Sequence, residues 1–137
     1  MKINPKKVLV FGTFDGIHPG HIFFLKEAKK MGKLFVSISS DKNASILKKR
    51  ALWKNENERK RDVRKLLIAD KVTIGDKKIG NWETIKKMTP DIIALGYDQK
   101  ELKSALKKIQ KKHAFEIKII KSHKPKIYKS SLIKRNA

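Results

Sequence analysis

The sequence predicts an α/β domain, a five-stranded parallel sheet with helices on both faces. Two observations carry that expectation. Short apolar runs without polar alternation, such as Val8-Leu9-Val10-Phe11 and Ile92-Ile93-Ala94-Leu95, are the pattern of strands buried on both sides. Segments of helical spacing separate these runs almost one for one, the order expected of a parallel sheet covered by its own crossovers. With 137 residues the chain has the size of one domain, 1–137, large enough to enclose a core.

The elements follow in turn. Gly12 ends the first strand, and Pro19 sits where the first turn of a helix tolerates proline. Ile22, Phe23, Leu25 and Ala28 continue at helical spacing until Gly32 stops the helix. Leu34 to Ile38 is the second strand, and a short basic helix runs from about Lys42 to Lys49. Glu56 to Leu67 reads as a third helix, with Val63, Leu66 and Leu67 on one face. Val72 to Ile74 is strand three, and Trp82 to Met88 a short helix that Pro90 separates from strand four. Glu101 to Lys112 is helical, Phe115 to Ile120 is strand five, and Ser130 opens a last short helix. Repeated lysine pairs coat the outward faces of these helices, the usual place of charge runs.

Thirty-five Lys and Arg against thirteen Asp and Glu leave a net charge of +22, which points to anionic partners. Arginine occurs only at 50, 59, 61, 64 and 135. Lysine spread so widely marks a biased or heat-adapted proteome more than a groove reader, which favours the bidentate fork of arginine. A nucleic-acid-binding module is the competing class, but aromatics are few and no groove-reading motif is present, so nonspecific binding at most is expected. Cysteine is absent, which excludes disulfides, thiolate metal sites and cysteine nucleophiles. No apolar run approaches a membrane span, and the stretch ending at Gly12 is too short for a signal peptide. The expectation is a cytoplasmic chain with no membrane partner.

The chemistry concentrates in Gly12-Thr13-Phe14-Asp15-Gly16-Ile17-His18-Pro19-Gly20-His21, the loop after strand one and the start of the next helix. Ligands of such sheets bind at the carboxyl ends of the strands. A helix start there offers unpaired N–H groups and partial positive charge, which suit phosphate. His18 and His21, three residues apart on the first turn, point the same way, and Gly20 lets a phosphate approach the backbone. A metal centre is the other use of two histidines. Asp15 is the only carboxylate nearby and no third strong ligand is evident, so zinc is not expected and no metal is assigned to protein ligands.

His18-Pro19-Gly20-His21, preceded by Gly12-Thr13-Phe14-Asp15, resembles the His-x-Gly-His signature of the cytidylyltransferase-like nucleotidyltransferases, and the resemblance runs over nearly the whole chain. It implies a Rossmann-like domain and a set of roles. Glu58-Arg59 with Val63 resembles the second family motif, whose arginine contacts nucleotide phosphates. Lys48 falls where the family places a lysine that neutralises the reacting phosphates. Ser130-Ser131 resembles the C-terminal motif that holds the β- and γ-phosphates, and Gly96-Tyr97-Asp98-Gln99 sits where members carry residues close to the nucleotide. The resemblance thus implies catalytic roles for His18, His21, Lys48 and Arg59. It implies nucleotide contacts for Gly12, Thr13, Phe14, His18, Pro19, Gly20, His21, Asp98, Ser130 and Ser131. The chain departs from many relatives at Leu52, Trp53 and Asn55, where they have proline, and at Lys126, where they have arginine, so the triphosphate tail is gripped without a bidentate fork there.

The implied reaction is attack by an acceptor's phosphate oxygen on the α-phosphorus of a nucleoside triphosphate, with pyrophosphate leaving and Mg²⁺ bridging the triphosphate. Leu95-Gly96-Tyr97-Asp98-Gln99 and Tyr128-Lys129-Ser130-Ser131 are most similar to archaeal-type FAD synthases, which implies ATP and FMN as substrates. Transfer from CTP to glycerol 3-phosphate or a related phospho-alcohol is the alternative. A flavin needs an aromatic or apolar wall, for which Trp53, Tyr97 and Tyr128 are candidates beside Asp15 as acceptor-binding residues. A twofold dimer is also implied by the resemblance, with Trp53 or Trp82 as exposed apolar contacts.

Overall fold

The computed structural model describes residues 5–48, 51–78 and 80–121. The expected helix at Ser130, and with it Tyr128, Ser131 and Lys126, lies outside the described residues. Among the described residues ten elements follow in the order the sequence suggests: β1 (Lys7–Gly12), α1 (Pro19–Lys29), β2 (Lys33–Ile38), α2 (Asp41–Lys48), α3 (Glu56–Lys65), β3 (Lys71–Ile74), α4 (Glu83–Met88), β4 (Ile92–Gly96), α5 (Lys100–Ile109) and β5 (Glu116–Ile120). The five strands form one sheet in the order β3-β2-β1-β4-β5, and every pairing is parallel.

Successive residues of a strand face opposite sides of the sheet, and β1 divides accordingly. Val8 and Val10 pack with Leu25 and Ala28 of α1 and Val63 of α3 on one face. Leu9 packs with Ile85 of α4 and Leu106 of α5 on the other. Both layers are therefore covered by helices, and the apolar run of β1 is continuous because neither of its faces meets water.

Several ends differ from expectation for local reasons. Helix α3 stops at Lys65, and Leu67 turns into the left-handed region at φ 56° and is exposed rather than on the apolar face. Trp82 is the residue before α4 rather than inside it, also left-handed at φ 56°. Helix α5 ends at Ile109, after which the Gln110 amide donates to the Phe115 carbonyl at 2.8 Å and turns the chain into β5. The lysines beyond Ile109 supply no apolar anchor to prolong it.

The topology fixes where a ligand can sit. After β1 the chain passes to α1 on one face; after β4 it passes to α5 on the other. The loops leaving β1 and β4 therefore diverge, and a crevice opens beyond the strand ends.

Candidate active site

The crevice is a cleft of about 1120 Å³ spanning the carboxyl ends of the strands. Gly12, Thr13, Phe14, Gly20 and His21 line its middle, with Tyr97, Asp98 and Gln99 on the β4 side. Ser39, Asn43, Lys78 and Trp82 line it on the β2–β3 side. Of the expected Gly12–His21 segment, the two ends thus line the cleft, while Asp15 to Pro19, His18 among them, are not lining residues.

His18 is the residue capping α1, and its geometry assigns a tautomer. The Gly20 N–H donates to His18 Nδ1 at 3.0 Å, and the His18 N–H donates to His21 Nδ1 at 3.2 Å. Together these make a reciprocal capping box built from two imidazoles. A nitrogen that accepts from an N–H carries no proton, so each neutral ring bears its hydrogen on Nε2. Two N–H donors are thereby defined at the start of a helix whose dipole favours negative charge. Phe14 meets the His21 ring edge-on at 5.2 Å between centroids.

Phe14 itself is left-handed at φ 53°, and its ring lies under Gly12. A β-carbon on Gly12 would stand 2.3 Å from Phe14 Cε2, so glycine is required there by close approach.

Three successive carbonyls, the last two of β1 and the one after it, are held from three different parts of the chain. Phe11 O accepts from Gln99 Nε2 at 3.0 Å. Gly12 O accepts from the Ser39 N–H at 3.0 Å. Thr13 O accepts from Arg59 Nη1 at 2.9 Å. Gln99 also accepts from the Gly96 N–H at 2.8 Å, so its amide ties the end of β4 to the end of β1. Both ends of that amide meet backbone groups, and its orientation is unambiguous.

The remaining expected residues are distributed less simply. Arg59, expected at the phosphates, is 0% exposed and donates to Lys54 O at 3.1 Å, Thr13 O at 2.9 Å and Asp41 Oδ1 at 2.8 Å. Lys48 closes α2, but its side chain lies outside the described residues. Asp15 accepts from the N–H groups of Trp53 and Lys54, both at 3.0 Å, and so braces the segment before α3. Trp53 is 70% exposed beside Gly16, and neither it nor Asp15 is among the residues lining the cleft. Tyr97 is at the cleft as expected; Ser130, Ser131 and Tyr128 are outside the described residues. Trp82, expected as an exposed dimer contact, is half-buried and lines the cleft.

Sequence reasoning gave no role to the lining lysines Lys78, Lys100 and Lys121 and did not place Trp82 at the cleft. In a chain of thirty-five basic residues no single lysine carries a signal. Asp76, also missed, accepts from the N–H groups of Glu83 and Thr84 at 2.9 Å, starting α4 in place of a cap from Trp82. Among the described residues no group of three His, Asp or Glu side chains is placed to hold a metal by itself.

Residues 9–136 match the profile described as cytidylyltransferase-like. A FAD synthase of Thermococcus sibiricus is 39% identical over 129 residues, covering 93% of this chain and 86% of that protein. A FAD synthase of Aciduliprofundum boonei is 34% identical over 119 residues, or 86% and 78% of the two. The crystal structure of the lipopolysaccharide core biosynthesis protein from Thermoplasma volcanium superposes with a TM-score of 0.75 at 32% identity, over 88% of this chain and 98% of that one. A pantoate-beta-alanine ligase from Francisella tularensis shares the fold, with a TM-score of 0.63 at 15% identity.

Proposed function

The chain belongs to the cytidylyltransferase-like family, and from that membership we propose that it is an FMN adenylyltransferase, joining AMP from ATP to FMN and releasing pyrophosphate. The relatives named FAD synthase support the substrate pair, and the histidine pair supports the reaction class. The observation that carries the chemistry is the double Nδ1 cap, which makes both imidazoles Nε2–H donors at the start of α1, with the His21 ring lining the cleft and His18 stacked on it.

In this reaction a phosphate oxygen of FMN forms a bond to the α-phosphorus of ATP. The bond from that phosphorus to the bridging oxygen breaks, and its electron pair leaves with pyrophosphate. The attacking oxygen is already anionic, so no general base and no covalent enzyme intermediate are needed. The protein brings two anions together and meets the charge that builds on the phosphoryl oxygens. His18 and His21 donate to those oxygens through Nε2, with the Gly12–Phe14 backbone and Pro19-Gly20 shaping the approach. Asp98 stands beside the nucleoside, Ser130 and Ser131 hold the departing phosphates, and Lys48 adds charge. Tyr97, Tyr128, Trp53 and Asp15 are the acceptor candidates, of which Tyr97 lines the cleft.

A divalent cation such as Mg²⁺, bound with the triphosphate, would offset its negative charge. Of the carboxylates lining the cleft, Asp76 is engaged with the start of α4, which leaves Asp98 and Glu101 as the side chains suited to approach it. Among the described residues no helix is long and apolar enough to cross a membrane. We place the reaction in the cytoplasm and expect a homodimer through exposed apolar groups such as Trp53, with nucleic acid bound only nonspecifically.

The test is a matrix of ATP and CTP against FMN and glycerol 3-phosphate with Mg²⁺, reading pyrophosphate and product mass. ATP with FMN is expected to yield FAD. Turnover of CTP with glycerol 3-phosphate alone would overturn the flavin assignment and leave nucleotidyl transfer standing.

A further inference from the structure

We propose that Arg59 serves the reaction as a positioning residue, clamping the histidine loop from behind through Thr13, with Asp41 as its counter-ion. The inference rests on the nucleotidyl-transfer reading above. It differs from the role that the family resemblance implies, because the guanidinium does not face the cleft.

Burying a cation costs several kcal/mol unless it is paired and hydrogen-bonded, so a wholly buried arginine points to a demanding local purpose. Here the planar fork reaches three segments at once: the loop after β1 at Thr13 O, the segment before α3 at Lys54 O, and the start of α2 at Asp41. Lysine, a single point charge on a flexible stem, has no equivalent geometry. Asp15 returns two bonds from the β1 loop to Trp53 and Lys54, so the two segments are laced together from both directions. Asp41 is itself placed by its N–H, which donates to Glu56 Oε1 at 2.8 Å.

The route to the chemistry is short. Holding Thr13 O fixes the peptide that leads into Phe14, whose left-handed backbone carries its ring under Gly12 and against His21. Loss of the clamp frees that peptide, and the histidine pair loses one of its walls. For Arg59 to meet a phosphate instead, the side chain would have to leave all three partners and a closed site. The cations that do face the cleft among the described residues are Lys78, Lys100 and Lys121.

Arg59→Lys, Arg59→Met and Asp41→Ala separate the two roles. A clamp predicts that Lys is as poor as Met, each losing roughly 100-fold in kcat with KM for the triphosphate within about threefold of wild type. Asp41→Ala, at an exposed partner, should lose about tenfold in kcat without improving KM. Histidine ¹⁵N spectra give a readout that needs no turnover: the Nε2–H tautomer of wild-type His18 and His21 should give way to mixed tautomers in the Arg59 variants. Near-normal activity in Arg59→Lys, with a raised KM in Arg59→Met, would overturn the proposal. So would a lowered KM in Asp41→Ala, since Asp41 would then be competing with phosphate. If both Arg59 variants fail to fold by circular dichroism, Asp41→Ala decides. Failure of wild-type protein to turn over any triphosphate, with the tautomer result intact, would count against the reaction and not against the clamp.

Discussion

The imidazoles of His18 and His21 lie face to face, with centroids 3.7 Å apart and planes 25° from parallel. Each also holds a backbone N–H of the same helix start through Nδ1. Stacking and capping together remove the rotamer freedom that an active-site histidine normally keeps. The pair is set in place before any substrate arrives, which is the condition for donors to be worth most in the transition state.

Capping and donation are separable at position 18. In His18→Asn the side-chain oxygen still accepts from a helix N–H, and asparagine is among the best capping residues. The melting temperature should stay close to wild type while kcat falls about 10²- to 10³-fold through loss of the Nε2 donor. His18→Ala should add a stability loss of about 1 kcal/mol to the same kinetic defect. Turnover and thermal melts on the two variants check this; full activity in His18→Asn would remove Nε2 from the mechanism.

Gly12→Ala should be severe for a one-carbon change. The new methyl would need to share space with the Phe14 ring, which is buried and cannot swing aside without disturbing His21. Overpacking of this kind costs about 1–3 kcal/mol. A drop in the urea midpoint accompanied by loss of kcat is the expected result.

Gln99→Glu keeps the shape of the side chain and reverses one bond. A carboxylate accepts from the Gly96 N–H as before but opposes Phe11 O, where the amide donated. Opposed acceptors should open the gap between the β1 and β4 loops, and kcat should fall roughly tenfold or more. Gln99→Met, which loses both bonds without adding charge, should be milder, and steady-state kinetics distinguish them.

Asp70 links pH to stability. Its carboxyl is held below the ordinary value first by the Lys29 ammonium and then by the Leu34 N–H, opposed by partial burial. A depressed carboxyl stabilises the fold above the unfolded carboxylate value, about pH 4, and the contribution is lost as pH falls through the lower folded value. Asp70→Asn should therefore cost about 1 kcal/mol near neutrality, both partners being partly in water, and nothing in strong acid. Urea melts across that range should show the two curves converging.

The fold was legible because its evidence is local. Apolar runs such as Val8 to Phe11 and the Pro19 and Gly32 boundaries write strands and helix ends into adjacent residues. The pairing of His18 with His21 at the start of α1 was legible for the same reason, since the capping box joins residues three apart. The enclosure of Arg59 was not legible, because its partners are 46 residues away at Thr13 and 18 away at Asp41 and nothing beside Arg59 in the sequence marks it. Trp82 was misread likewise. Its left-handed backbone depends on Asp76 starting α4 in its place, and large aromatics carry no sequence mark for that conformation. Leu67 shows the converse, an apolar residue at helical spacing that falls one turn too late and lies in water.

The bond from Gln99 to Phe11 spans 88 residues, and that from Lys7 to the Asp91 carboxylate spans 84, whereas the histidine cap closes within one helical turn. During synthesis the cap can therefore form soon after α1 leaves the ribosome. The carbonyl of Phe11 must wait until most of the chain has emerged and β4 has docked beside β1. A chain interrupted anywhere before residue 99 carries its histidines on a helix without the frame that aims them.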